Sequence, residues 1–379
     1  MATMTNLRYI PPILRFTDWG VYYDAGADLY LGIGSNGAVS IQDNIRYPCL
    51  NDSNYRQLAL ARCTEIAQRF SKQSSSEYFY NQESCFSQSW HRGNSGVCYC
   101  PACKNYFRNY LIGKYNNNIN LVNQEYGTSY TSFSEIEPPF LSDITSSNSA
   151  MGACWADFRL CMCKLYNDFY VDMTSAINAV QANAKTGIAA PISYGLRAGE
   201  AVDLWQFSQW MKVKFPYYSF SQVVYNNFAP QDSLLGQGTS WGPAYSRSPE
   251  YAKWMVWNNL FTGNNFHYLY YGDTGFATSI ANDYTVFSDL QVLLNESMKV
   301  KSGIGKLINE ASPASPGVVM LYSISSIINQ PLLEKLGHTC TITGIKRFGM
   351  IDSDSYSNNY MNWIKMLQNC NIPCKIISY

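Results

Sequence analysis

The residues best placed by type and spacing to do chemistry are thiols. Cys98-Tyr-Cys100-Pro-Ala-Cys103 sets three cysteines within six residues, in a turn closed by Pro101. Thiolates at this spacing can converge on one tetrahedral ion, and Cys49 upstream offers the fourth ligand of a closed structural zinc site. Free thiols are the competing reading. Of the twelve cysteines in the chain, the other eight do not pair obviously. Cys161 and Cys163 lie two apart on an expected helix and point in different directions, and Cys340, Cys370 and Cys374 form an odd set. Reduced, buried thiols of an intracellular protein are the plainer reading for these.

Composition narrows the partners. Lys+Arg and Asp+Glu are both 27, which leaves no net charge to attract phosphate backbones or anionic membrane surfaces, so nucleic acid is not an expected partner. The aromatic share is 15 %, with 30 Tyr and 9 Trp against 14 % charged residues, a balance suited to stacking on sugar rings while hydrogen-bonding their hydroxyls. A Tyr-rich core and surface would give the same numbers. Apolar runs such as Gly317 to Tyr322 fall far short of the roughly 20 residues that cross a bilayer, so no membrane span is expected. The N-terminus shows no basic segment followed by an apolar stretch and a cleavage site, and the chain reads as non-secreted unless a leader has been removed. Asn51-Asp-Ser53 and Asn295-Glu-Ser297 match the glycosylation sequon, a pattern that arises often by chance.

The elements that must position these residues follow from periodicity. Short apolar runs alternate with long helical segments, which argues for βα units and a parallel sheet. Expected strands are Tyr9 to Leu14, Tyr78 to Tyr80, Lys185 to Pro191, Tyr217 to Phe220, Ser233 to Gly236 and Phe266 to Tyr271. Leu60, Cys63, Ala67 and Phe70 mark one helix face, and Phe158, Met162, Leu165, Phe169, Met173 and Ile177 mark a longer one. A further helix, Phe287 to Glu310, runs into the Pro-containing stretch Ala311 to Gly317, which has the character of a boundary. With 379 residues the chain exceeds the usual size of one core, so two domains are expected, residues 1–311 and 312–379. The second would hold the strand Val318 to Tyr322, helical stretches around Ile327 to Leu336 and Tyr356 to Asn369, and the closing segment Cys374 to Tyr379. That makes only the start of an open α/β fold.

Several motifs in order resemble glycoside hydrolase family 42, the zinc-bearing β-galactosidases. They are Arg46-Tyr-Pro-Cys-Leu-Asn-Asp-Ser-Asn-Tyr-Arg56, Tyr78-Phe-Tyr-Asn-Gln-Glu83, the knuckle Cys98 to Cys103, and Phe107-Arg-Asn-Tyr-Leu111. The likeness continues through Lys114-Tyr115, Leu121-Val-Asn123, Tyr126-Gly-Thr128 and Ile136-Glu-Pro138, and more loosely through Asp157-Phe-Arg159, Trp241-Gly-Pro243 and Trp254 to Gly263. The resemblance implies a (β/α)8 barrel, shortened at its N-terminal part, with the site at the C-terminal strand ends. The α/β domain that follows would resemble the one that helps the family form trimers, so a homo-oligomer is expected. It also implies that Cys49, Cys98, Cys100 and Cys103 hold zinc, and that Glu83 is the general acid/base. The family's Asn before that Glu is Gln82 here, with Asn81 one place earlier, so the contact to the sugar 2-hydroxyl is expected to be altered.

A retaining glycosidase needs two carboxyl groups about 5 Å apart, one to protonate the leaving oxygen and one to attack the anomeric carbon. Glu83 supplies the first. The nucleophile is expected in Leu234 to Trp241, which contains no carboxylate. Asp273, after the last expected barrel strand, is the nearest spare acid and would suit an inverting mechanism, where the separation is wider. Trp90, Tyr218, Trp241 and Tyr245 are candidate walls of a sugar cleft. Two functions remain open: a glycosidase acting on a β-linked galactoside or related β-glycoside, and a non-catalytic relative that binds carbohydrate or serves assembly.

Overall fold

The computed structural model describes residues 41–42, 45–46, 49–72, 76–82, 98–189, 211–215, 226–230, 232–239, 248–269, 285–311, 317–323, 326, 332, 336 and 355–377. Its centre is a five-stranded, all-parallel sheet: β3 (Glu77–Gln82), β4 (Lys185–Ala189), β5 (Met211–Phe215), β6 (Leu234–Thr239) and β7 (Phe266–Leu269). The strands lie side by side in chain order, so their C-terminal ends share one edge. Ahead of them β1 (Ile41–Gln42) and β2 (Ile45–Arg46) form a small antiparallel pair. At β4, Gly187 is required by close approach, since a Cβ there would lie 1.8 Å from the Val213 carbonyl oxygen.

Four helices build the main core. α1 (Ser53–Phe70) starts where the Asp52 carboxylate accepts from the Tyr55 amide at 2.9 Å, satisfying a donor that the first turn leaves free. Its buried face is Tyr55, Ala59, Cys63, Ile66 and Ala67. Leu60 and Phe70, expected on that face, flank it half-buried. α2 (Pro101–Lys114) carries Pro at its first position, where no hydrogen bond is lost, and buries Cys103, Phe107 and Leu111. α3 (Ile119–Tyr126) ends at Gly127, whose φ of 63° is the left-handed cap glycine tolerates best. α4 (Met151–Val180) then runs 30 residues, and all six positions of its expected apolar face are buried.

α4 also buries a carboxylate. Asp157 accepts from the hydroxyls of Tyr126 (2.8 Å) and Tyr115 (2.9 Å) and pairs with Lys114. These partners come from α2, α3 and the turn between them, so one polar group fixes three helices. A buried charge is tolerable on that condition.

Further along are α5 (Pro249–Phe261), α6 (Ser288–Lys299), a π-helical turn (Val300–Ile304) and α7 (Gly305–Glu310). The single helix expected over Phe287 to Glu310 is thus interrupted around Gly303 and Gly305, where glycine weakens α-helical preference. The strand expected at Tyr217 to Phe220 lies outside the described residues, as does Tyr9 to Leu14, while the strand found nearby is Met211–Phe215. At the C-terminus β8 (Val318–Leu321) pairs in parallel with β9 (Cys374–Ile377), and α8 (Ser355–Asn369) precedes β9. Tyr322, Leu332, Ile364 and Ile376 belong to the same buried cluster as α1 to α4.

Candidate functional site

The cysteine cluster is assembled from two caps. Cys49 lies in the turn before α1, where its carbonyl accepts from the Asp52 amide at 3.1 Å. Cys98 and Cys100 precede α2, and Cys103 is in its first turn. Cys100 is itself the N-cap, its sulfur accepting from the Cys103 amide at 3.4 Å.

The four sulfurs all lie within 4.8 Å of one another. Cys49 is 3.5 Å from Cys100 and 3.6 Å from Cys103. Disulfide sulfurs would be bonded at about 2.05 Å, and all four are free thiols. Four sulfurs at about 2.3 Å from a central zinc stand about 3.8 Å apart, the tetrahedron edge that this bond length sets. The donor set therefore fits a thiophilic tetrahedral ion.

Coupling among the four thiols divides them, with Cys98 and Cys100 lowered and Cys49 and Cys103 raised. Hydrogen bonds from Cys103, Cys49 and Cys98 hold the Cys100 thiol far below the ordinary value, whereas Cys103, chiefly through Cys100, is driven up. The isolated thiols behave otherwise: burial alone pushes Cys63 up to about 12, and Cys161 is raised mainly by the same cause.

The surroundings hold the cluster in place. Asn51 donates to the Ala102 carbonyl at 2.9 Å, joining the two caps. Arg56 donates to the Leu50 carbonyl at 3.0 Å, pairs with Asp172 of α4, and lies 5.5 Å from the Phe169 ring centroid. Tyr99, inside the knuckle, packs on Phe140 and Phe158 with centroids 4.8 and 4.7 Å away. Arg56 and Asn51 lay within the matched Arg46 to Arg56 run but carried no signal of this role.

The structure brings together Cys49, Cys98, Cys100 and Cys103. Asn81 and Gln82 are the last two residues of β3, at the C-terminal edge of the sheet. Glu83, Trp90, Tyr218, Trp241, Tyr245 and Asp273 lie outside the described residues. In sequence Glu83 directly follows β3 and Asp273 comes four residues after β7.

With a parallel α/β sheet and a four-thiol knuckle in place, comparison with known proteins gives the class. The chain superposes on a catalytic mutant of Gan42B, a GH42 β-galactosidase from G. stearothermophilus, with TM-score 0.71 at 15 % identity, covering 98 % of this chain and 56 % of that one. It superposes on the β-galactosidase of Bacillus circulans sp. alkalophilus with TM-score 0.66 at 14 % identity, covering 93 % and 52 %. It thus shares the fold of these enzymes while spanning about half their length. Beta-galactosidase Pbg of Clostridium perfringens is 46 % identical over 57 residues, 13 % of this chain and 8 % of that protein. The family model for glycoside hydrolase family 42, β-galactosidase, matches residues 30–222. The chain belongs to that family.

No helix among the described residues is long and apolar enough to cross a membrane.

Proposed function

We propose that this chain is a β-galactosidase-type glycoside hydrolase acting on a β-linked galactoside or a related β-glycoside, with Glu83 as general acid/base. One observation carries the reading: Glu83 follows directly on the C-terminal end of a parallel strand, β3, in a chain of family 42. In such sheets the groups that meet substrate gather at the C-terminal strand ends, and membership of the five described strands in a (β/α)8 barrel belongs to the same proposal. Asp273 comes four residues after β7 in the sequence and is the candidate second carboxylate. Asn81, Gln82, Trp90, Tyr218, Trp241 and Tyr245 are the candidate contacts to sugar.

Cys49, Cys98, Cys100 and Cys103 would hold a structural zinc, which closes the two caps on one another and does no chemistry on the substrate. Assembly as a homo-oligomer is part of the proposal, and light scattering that reports a monomer at micromolar concentration removes it.

A second reading, a non-catalytic relative that retains carbohydrate binding, is favoured by the lack of a carboxylate between Leu234 and Trp241. Turnover of a β-galactoside by wild type and Glu83→Gln separates the two. General acid catalysis is worth roughly 10²-fold or more, so an active wild type should lose at least that much on an unactivated substrate. An active wild type indifferent to the substitution rejects Glu83. A folded wild type inactive on every β-glycoside, yet retained on a galactose column, selects the second reading.

A further inference from the structure

The four sulfurs of the knuckle reach their places by different means. Cys98, Cys100 and Cys103 belong to the cap of α2, where the Cys100 sulfur accepts from the Cys103 amide and its carbonyl from the Lys104 amide at 3.0 Å. Cys49 lies 51 residues before Cys100 in the chain. The bonds that shape its turn, Asp52 amide to Cys49 carbonyl and Arg56 amide to Asp52 carbonyl, are internal to the cap of α1. They do not fix where that cap stands relative to the other.

α4 supplies the common reference. The α2 side is tied to it by Tyr99 packed on Phe158 and by the Tyr106 hydroxyl donating to Asp168 at 2.9 Å. The Cys49 side is tied to it by Arg56, which pairs with Asp172, one turn beyond Asp168. The Arg56 guanidinium lies over the Phe169 ring and donates to the carbonyl of Leu50, the buried residue that follows Cys49. Its side chain is only 20 % exposed. The other link between the caps, Asn51 to the Ala102 carbonyl, is open to water, which can replace it. A planar fork of five donors can serve a carbonyl and a carboxylate while lying on an aromatic face, and a lysine ammonium cannot do all three.

We propose that Arg56, held by Asp172, is a positioning residue for the metal, presetting the Cys49 thiolate against the other three through the Leu50 carbonyl. The inference rests on the zinc reading above. A ligand set that is already arranged in the folded chain loses less freedom when it takes up its ion, and so binds it more tightly.

The test is zinc affinity of the full chain, measured by competition with a chromophoric chelator, with circular dichroism to show that each protein stays folded. Arg56→Ala should weaken zinc binding about 10- to 100-fold, the usual cost of removing a partner behind a metal ligand. Arg56→Lys should recover little of that loss, Asp172→Asn should show a smaller one, and Arg62→Ala on the same helix should show none. A role in the fold alone would be felt whichever thiols are present, so the deciding step is Arg56→Ala made in Cys49→Ser protein. If Arg56 acts through Cys49, it costs nothing further there. Losses that multiply in the double variant, or wild-type affinity in Arg56→Ala, overturn the inference and leave the zinc reading standing. Should Arg56→Ala fail to fold, Asp172→Asn carries the same cycle. A folded wild type that binds no zinc overturns both.

Discussion

The two sides of the molecule are built to different standards. Around α4, one continuous cluster joins α1 to α4, the knuckle and β3, and it extends to Tyr322 and Ile376 near the C-terminus. Around α5 and α6 the separate cluster is Ala252, Val256, Leu290 and Leu293, and α5 leaves Trp254 and Phe261 52 % and 68 % exposed. The buried carboxylate of α4 ties three helices together, whereas Glu296, the buried carboxylate of α6, accepts from Trp257 of α5 at 3.0 Å and otherwise pairs with Lys299 of its own helix. Stability in a protein is unevenly spread, and here it should be concentrated on the cysteine side.

That contrast can be broken from its strong side first. Zinc bound by four thiolates contributes folding free energy outright, so stripping the proposed zinc with a chelator, or replacing Cys100 by Ser, should lower Tm by on the order of 10 °C or more. Elemental analysis and a thermal melt check it, and metal-free protein with an unchanged Tm rejects the zinc assignment. Phe158→Ala should cost about 3 to 5 kcal/mol in a denaturant titration, because its ring is fully buried against Tyr99 and Phe107. Asp157→Ala should cost about 3 kcal/mol by the same measurement, since Lys114, Tyr115 and Tyr126 lose their common acceptor.

On the weak side the losses should shrink. Leu293→Ala lies in a cluster of few members that can close over a cavity, so about 2 kcal/mol is expected, the low end for such truncations. A cost equal to that of Phe158→Ala would erase the contrast. Breaking the surface pair of Arg62 and Glu65 with Arg62→Ala should change stability by less than about 1 kcal/mol.

The strong side was also the legible one. The α4 face repeats at helical spacing over 20 residues, from Phe158 to Ile177, and the four thiols declare themselves by type. Strand β5 was missed, although Met211, Val213 and Phe215 alternate with lysines, because five residues give too short a signal to compete with the aromatic run just after it. Arg56 and Asp172 are 116 residues apart, and no local pattern tells that they meet. The register shift of β3 against β4 between Phe79 and Gln82 was equally hidden, since an extra residue in one strand is defined only against its neighbour.

The order of the sheet bears on how the protein is made. Each described strand from β4 to β7 pairs with the one synthesised just before it, and none is later parted to admit a newcomer. A nascent chain can therefore extend the sheet at its growing edge as each segment leaves the ribosome, once the helices of residues 83–184 have brought β4 to β3. Two pairings span longer stretches of chain: β3 with β4, parted by residues 83–184, and β8 with β9, parted by residues 322–373. Of the described pairings that of β8 with β9 becomes possible latest, and a pulse of newly made protein should acquire protease resistance around α1 to α4 well before it does so around β8 and β9.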